Sequence, residues 1–102
     1  MSTNRDYSEF AGKKILFLGA HALMGHLIET AKEMGVYTIV TDYVKNAPAK
    51  MLADEAYDIS TLDVDALVEL AREKQVDGVF TGYVDINLAP CRMVCDKLGL
   101  PF

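Results

Sequence analysis

The chain has 102 residues, of which 51% are hydrophobic and 25% charged, and ten Lys and Arg against fifteen Asp and Glu give a formal charge of −5. That length supports one domain around one core, and the composition excludes a disordered, collagen-like or disulfide-dense chain. Scattered basic residues in an acidic chain argue against nucleic acid, no apolar run approaches the roughly 20 residues that span a bilayer, and two cysteines alone, Cys91 and Cys95, fit a reducing cytoplasmic setting.

Residues 1–12, MSTNRDYSEFAG, are polar and aperiodic and lack the apolar core of a signal peptide. They read as a leader that orders only by packing Tyr7 or Phe10 onto something, and the domain proper is expected over 13–102. From Lys14 the run Ile15-Leu16-Phe17-Leu18, stopped by Gly19, reads as a strand covered on both faces. Met24, Leu27, Ile28 and Ala31 then repeat at helical spacing, with Gly35 as the C′ residue. Val36 to Thr41 is β-branched and forms a second strand ending at Asp42, followed by a loop at Asn46-Ala47-Pro48.

A turn of helix around Lys50 to Ala53 and a short strand from Glu55 to Ile59 come next. Thr61 or Asp63 caps a second helix carrying Val64, Leu67, Val68 and Ala71 up to Lys74. Gly78 to Thr81 makes the fourth strand. The last helix sets Cys91, Val94, Cys95 and Leu98 on one face, holds Pro90 in its first turn and ends at Gly99. This rhythm predicts a Rossmann-like, three-layer α/β domain with a parallel sheet of four or five strands in the order 3-2-1-4.

Ligands of such a sheet collect beyond the carboxyl ends of the strands where connections diverge, here between the first and fourth strands. Two loops line that crevice, Gly19-Ala20-His21-Ala22 and Thr81-Gly82-Tyr83-Val84-Asp85, each leading into a helix N-terminus suited to a small anion. A dinucleotide fingerprint would need glycines at 21 and 24, where His21 and Met24 stand, although Asp42 lies 23 residues after Gly19 where a ribose-binding acid is expected. Asp42 is open to a binding or a loop-capping role. Histidine changes charge near neutral pH, so His21 can contact substrate, carry a proton or simply be solvated. His26 is out of step for a shared metal. Cys91 and Cys95 lack the further ligands of a zinc shell and read as buried structural thiols. Asp85 caps the last helix or binds a substrate amine.

The segments KKILFLGAHALMGHLIETAKEMGVYTIVTDY, NAPAK, ADEAYDIS, DVDALVELAREKQVDGVFTGYVDINL and KLGLPF, taken in order, resemble the N-terminal, pre-ATP-grasp domain of ATP-grasp ligases, nearest to the carbamoyl-phosphate synthase large-subunit-like branch. The resemblance runs from Lys13 to Phe102 and departs at Ala20 and His21, where relatives often carry a second glycine or a small polar residue.

It implies a domain truncated from an enzyme that joins a carboxylate to an amine through an acyl phosphate. It also implies a substrate wall made by Gly19, Ala20, His21, Asp42, Thr81, Gly82 and Asp85. ATP and magnesium belong, on this reading, to later domains of the parent, so the fragment has no cofactor of its own and no catalysis alone. Its partners are a small anionic substrate, the C-terminal ATP-grasp domain, or a second copy that pairs with the sheet edge and apolar surface left bare. The competing readings are a free-standing Rossmann-type module that binds a nucleotide or small molecule, and an NAD-binding dehydrogenase fragment.

Overall fold

The computed structural model describes residues 11–81 and 88–100. Their elements run β1 (Lys14–Leu18), α1 (Ala22–Glu33), β2 (Tyr37–Thr41), a 3₁₀ turn (Pro48–Leu52), β3 (Glu55–Tyr57), α2 (Val64–Lys74), β4 (Gly78–Phe80) and α3 (Leu88–Leu98). Every strand pair is parallel and the order is β3-β2-β1-β4, the α/β arrangement expected from the sequence.

Register makes the side-chain alternation of neighbouring strands coherent. Leu16 lies opposite Ile39 and Val79, and Phe17 opposite Val40 and Phe80, so successive rows point to opposite faces. Leu16, Leu18 and Ile39 face α2 and α3, where Leu67, Leu70, Cys91, Val94 and Cys95 close over them. Phe17 and Val40 face α1, which brings Met24 and Ile28, while Ala47 and Ala49 pack in from the 3₁₀ turn. β1 is continuously apolar from Ile15 to Leu18 because both of its faces meet helices.

Where element boundaries differ from expectation, a partner explains each shift. The third strand stops at Tyr57 instead of Ile59 because β2 ends at Thr41, opposite Tyr57, and leaves no further ladder. The second begins at Tyr37, since the Val36 amide donates to Ala31 O and closes the end of α1. The fourth ends at Phe80, the last residue opposite β1. The helical turn starts at Pro48, before Lys50, because proline is pre-set for a first helical position. Of the two caps offered for α2, Asp63 is the one used, its Oδ1 accepting from the Ala66 amide at 3.2 Å.

At the amino end of the sheet the edge strand is tied to α2. Glu55 accepts from the Tyr37 hydroxyl at 2.6 Å and from the Tyr57 hydroxyl, and Lys74 Nζ lies 3.0 Å from its Oε1. The Tyr37 bond foremost, then those from Tyr57 and Lys74, hold the Glu55 carboxyl down at about 2, and the same contact raises the Tyr37 hydroxyl.

Candidate functional site

At the carboxyl end, β1 runs into Gly19, whose φ of 103° is a conformation that residues with a Cβ rarely adopt. The Gly19 amide donates to Thr41 O at 2.8 Å, adding one rung to the β1–β2 ladder before the chain turns into α1. Ala20 is fully buried; its amide donates to Asp42 Oδ2 at 2.9 Å, and its carbonyl accepts from the Ala49 amide at 2.8 Å. His21 follows as the N-cap residue in extended conformation, half-buried, without a side-chain cap bond to α1. No acidic residue stands in the first turn of α1.

Asp42 directs both oxygens to main-chain amides, Oδ2 to Ala20 and Oδ1 to Val44 at 3.0 Å. Of its two readings the structure shows loop capping: the carboxylate holds the Gly19–Ala20 turn against the start of the next loop. Lys50 does comparable work nearby. Its side chain is only 8% exposed, and Nζ donates to Val44 O at 2.6 Å and to Asp58 Oδ1 at 2.5 Å, joining the segments that follow β2 and β3. Sequence reasoning placed Lys50 in a helical turn and missed this part. The signal was a lone lysine between Ala49 and Met51, beside Pro48.

Thr81 is brought to the same end of the sheet, its hydroxyl donating to Leu18 O at 3.2 Å. That bond pins the exit of β4 beside the exit of β1. Thr41, fully buried at the end of β2, has a hydroxyl with no hydrogen-bond partner among the described residues. Gly82 and Asp85, expected on the second loop, lie outside the described residues, as do Tyr7 and Phe10 of the leader.

The structure therefore gathers Gly19, Ala20, His21, Asp42 and Thr81 at one end of β1, β2 and β4, with the turn of Pro48–Leu52 as a further wall. Gly25, one residue out of step for a dinucleotide fingerprint, packs against the 3₁₀ turn: a Cβ there would stand 2.9 Å from Leu52 Cδ1 and displace the end of that side chain. Cys91 and Cys95 are buried free thiols in the core between sheet and α3. Burial first, and the neighbouring thiol second, push Cys91 up to about 12, and burial raises Cys95 as well. Among the described residues no group of three or more His, Cys, Asp or Glu side chains is gathered to hold a metal ion. No helix among them is long and apolar enough to cross a membrane.

No family model matches the chain. Individual proteins do. The chain is 32% identical over 104 aligned residues to a formate-dependent phosphoribosylglycinamide formyltransferase of Francisella tularensis, covering 85% of this chain and 27% of that protein. The crystal structure of phosphoribosylglycinamide synthetase from Anaerococcus prevotii matches with a TM-score of 0.77 and 32% identity, over 87% of this chain and 23% of that one. N5-carboxyaminoimidazole ribonucleotide synthetase from Thermotoga maritima matches with a TM-score of 0.69 and 27% identity, over 83% and 23%. The chain thus spans about a quarter of the length of these relatives. They are ATP-grasp ligases, and the chain is homologous to the pre-ATP-grasp domain of that family.

Proposed function

We propose that the chain is the substrate-side domain of an ATP-dependent carboxylate–amine ligase, and that the crevice over Gly19 and Thr81 receives a small anionic substrate. The observation that carries this reading is the start of α1, which has neither a side-chain cap nor an acid in its first turn, whereas α2 has both in Asp63 and Asp65. First-turn amides have no intrahelical acceptor and lie at the positive end of the helix dipole, so they suit a phosphate or carboxylate. The Gly19 and Ala20 amides are engaged within the fold, and Asp42 fills the β2 side of the turn. An anion therefore approaches Ala22 and Leu23 from the side of Thr81. His21, Gly82 and Asp85 remain substrate-facing candidates on this reading.

The names of the relatives point to a phosphoribosyl compound as the anion, and favour that class over the carbamoyl-phosphate synthase branch suggested by the sequence resemblance. In the longer protein a carboxylate is activated as an acyl phosphate and then attacked by an amine. ATP and magnesium are assigned by the resemblance to the C-terminal ATP-grasp domain, the partner of this one. The role read for this domain is to bind and orient substrate for that partner. A cytoplasmic location belongs to this proposal and is supported by the two free thiols.

Amide-resolved NMR titration tests the reading with ribose 5-phosphate, ATP–magnesium and NAD as probes. Ribose 5-phosphate is expected to shift the Ala22 and Leu23 amides, and the two nucleotides to leave the spectrum and the melting temperature unchanged. A free-standing nucleotide module would instead gain about 2.7 kcal/mol from its nucleotide at 100 times the dissociation constant. That gain, or silence at Ala22 and Leu23, overturns the proposal.

A further inference from the structure

The core closed by α2 and α3 contains a pair of soft nucleophiles, the free thiols of Cys91 and Cys95. They lie one helical turn apart on α3, at 2% and 0% exposure. Positions i and i+4 share a helix face, with Cβ atoms about 5–6 Å apart. The two thiols are near enough to share a hydrogen bond, and the Cys91 thiol also donates to Val79 O at 3.7 Å. Cysteine packs as a small apolar side chain, but two sulfurs that face each other in a core also make a chelate.

The donor set decides what such a chelate holds. Thiolate sulfur selects soft ions, copper(I) and zinc among them. Structural zinc takes four ligands, and among the described residues no third Cys, His, Asp or Glu joins the pair. Copper(I), an ion with a filled d shell, is satisfied by two thiolates in line. Metal–thiolate bonds are about 2.3 Å long, so two in line span about 4.6 Å, a distance that sulfurs on Cβ atoms about 5–6 Å apart reach by leaning together. The ion occupies the line between the sulfurs where the shared proton lies, and the apolar surroundings of Leu67, Val68 and Val94 offer no competing ligand.

The loaded pair carries one negative charge. Cys91 is the fourth residue of α3, which has no acid in its first turn, so the positive end of the helix dipole lies beside that charge. Asp96, which bears on Cys95, is 70% exposed and stands 4.0 Å from Arg92.

We propose that Cys91 and Cys95 form a linear two-thiolate site for copper(I) in the core beneath α3. Loading exchanges two S–H bonds for two S–Cu bonds, releases two protons to solvent and leaves the metal as copper(I) throughout. Both sulfurs are buried, so the ion enters when α3 opens locally. The inference stands on the thiol pair and is independent of the anion-binding reading of the crevice.

The experiment titrates the reduced 102-residue chain without oxygen, against copper(I) held by bicinchoninate, with zinc(II) in parallel. One copper per chain and two protons released per copper are expected. Copper is expected to raise the melting temperature, and zinc to leave it unchanged. Cys91→Ser and Cys95→Ser are each expected to hold copper at least about a hundredfold more weakly, because a single thiolate forfeits the chelate. Circular dichroism establishes that each variant is folded. X-ray absorption at the copper edge of the loaded parent chain, which depends on no variant, is expected to show two sulfur neighbours and no nitrogen. A nitrogen neighbour overturns the proposal, because it assigns the ion to a histidine. Copper shared between two chains, one thiol from each, also overturns it. Equal affinity in the parent chain and the folded single variants does the same, as does a chain that takes copper only in denaturant.

Discussion

The two faces of the sheet are built from the same strands and finished differently. On one, α2 and α3 bury Leu16, Leu18, Ile39, Leu67, Val94 and Cys95 almost completely. On the other, α1 and the 3₁₀ turn cover Phe17 and Val40, while Phe80 stays 42% exposed. Alternation along β1 and β4 obliges both faces to be apolar, but each face closes only where a helix is present. The difference teaches that α2 and α3 close their face over the strand side chains, while the α1 side is closed over Phe17 and Val40 and open at Phe80. The starts of the helices divide the same way, since α2 satisfies its own amides through Asp63 and α1 does not.

The largest effect is expected in thiol chemistry on the closed face, where both cysteines lie. With Cys91 at about 12, the folded chain holds about a thousandfold less thiolate there than an ordinary cysteine below pH 9. Iodoacetamide labelling followed by mass spectrometry should be about a thousandfold slower at Cys91 in the native chain than in denaturant. Rapid native labelling would show that α3 lifts from the closed face.

Core truncation comes next. Leu67→Ala, at a fully buried position, is expected to lower unfolding free energy by about 2–5 kcal/mol in denaturant titrations. Phe80→Ala, half-exposed and held chiefly by its edge contact with Phe17, is expected to lose about 1 kcal/mol. Equal losses would erase the distinction between the faces.

A cap substitution is smaller and local. Asp63→Ala removes the bond to the Ala66 amide and is expected to cost about 1 kcal/mol, read from the same titrations. His21→Ala, which removes no side-chain cap bond, is expected to leave α1 less affected than Asp63→Ala leaves α2.

The smallest effect belongs to acid. Glu55 has its folded value depressed from 4.5 to about 2, so the stability it contributes is fully present above 4.5 and lost as pH falls toward 2. The gap between the parent chain and Glu55→Gln in pH-dependent melting is therefore expected to be widest above pH 4.5 and to close near 2. A gap that widens on acidification would assign the carboxylate a different partner.

Much of the architecture is legible locally, because a helix or a buried strand writes its period into consecutive residues. Met24, Leu27, Ile28 and Ala31 place α1, Gly35 and Gly99 end their helices at positive φ, and the βα rhythm with right-handed crossovers yields the order 3-2-1-4. The candidate crevice followed from that order, since its position depends only on which strands are neighbours. What no local pattern contained were the pairings between distant residues. Asp42 reaching back to Ala20, Lys50 joining Val44 to Asp58, and Glu55 held by Tyr37, Tyr57 and Lys74 each depend on which loops and strands lie side by side. The same holds for Phe80, whose apolar character is plain in the sequence and whose exposure is not. Composition and periodicity determine what a segment must bury, and only the tertiary arrangement decides whether anything is there to bury it against.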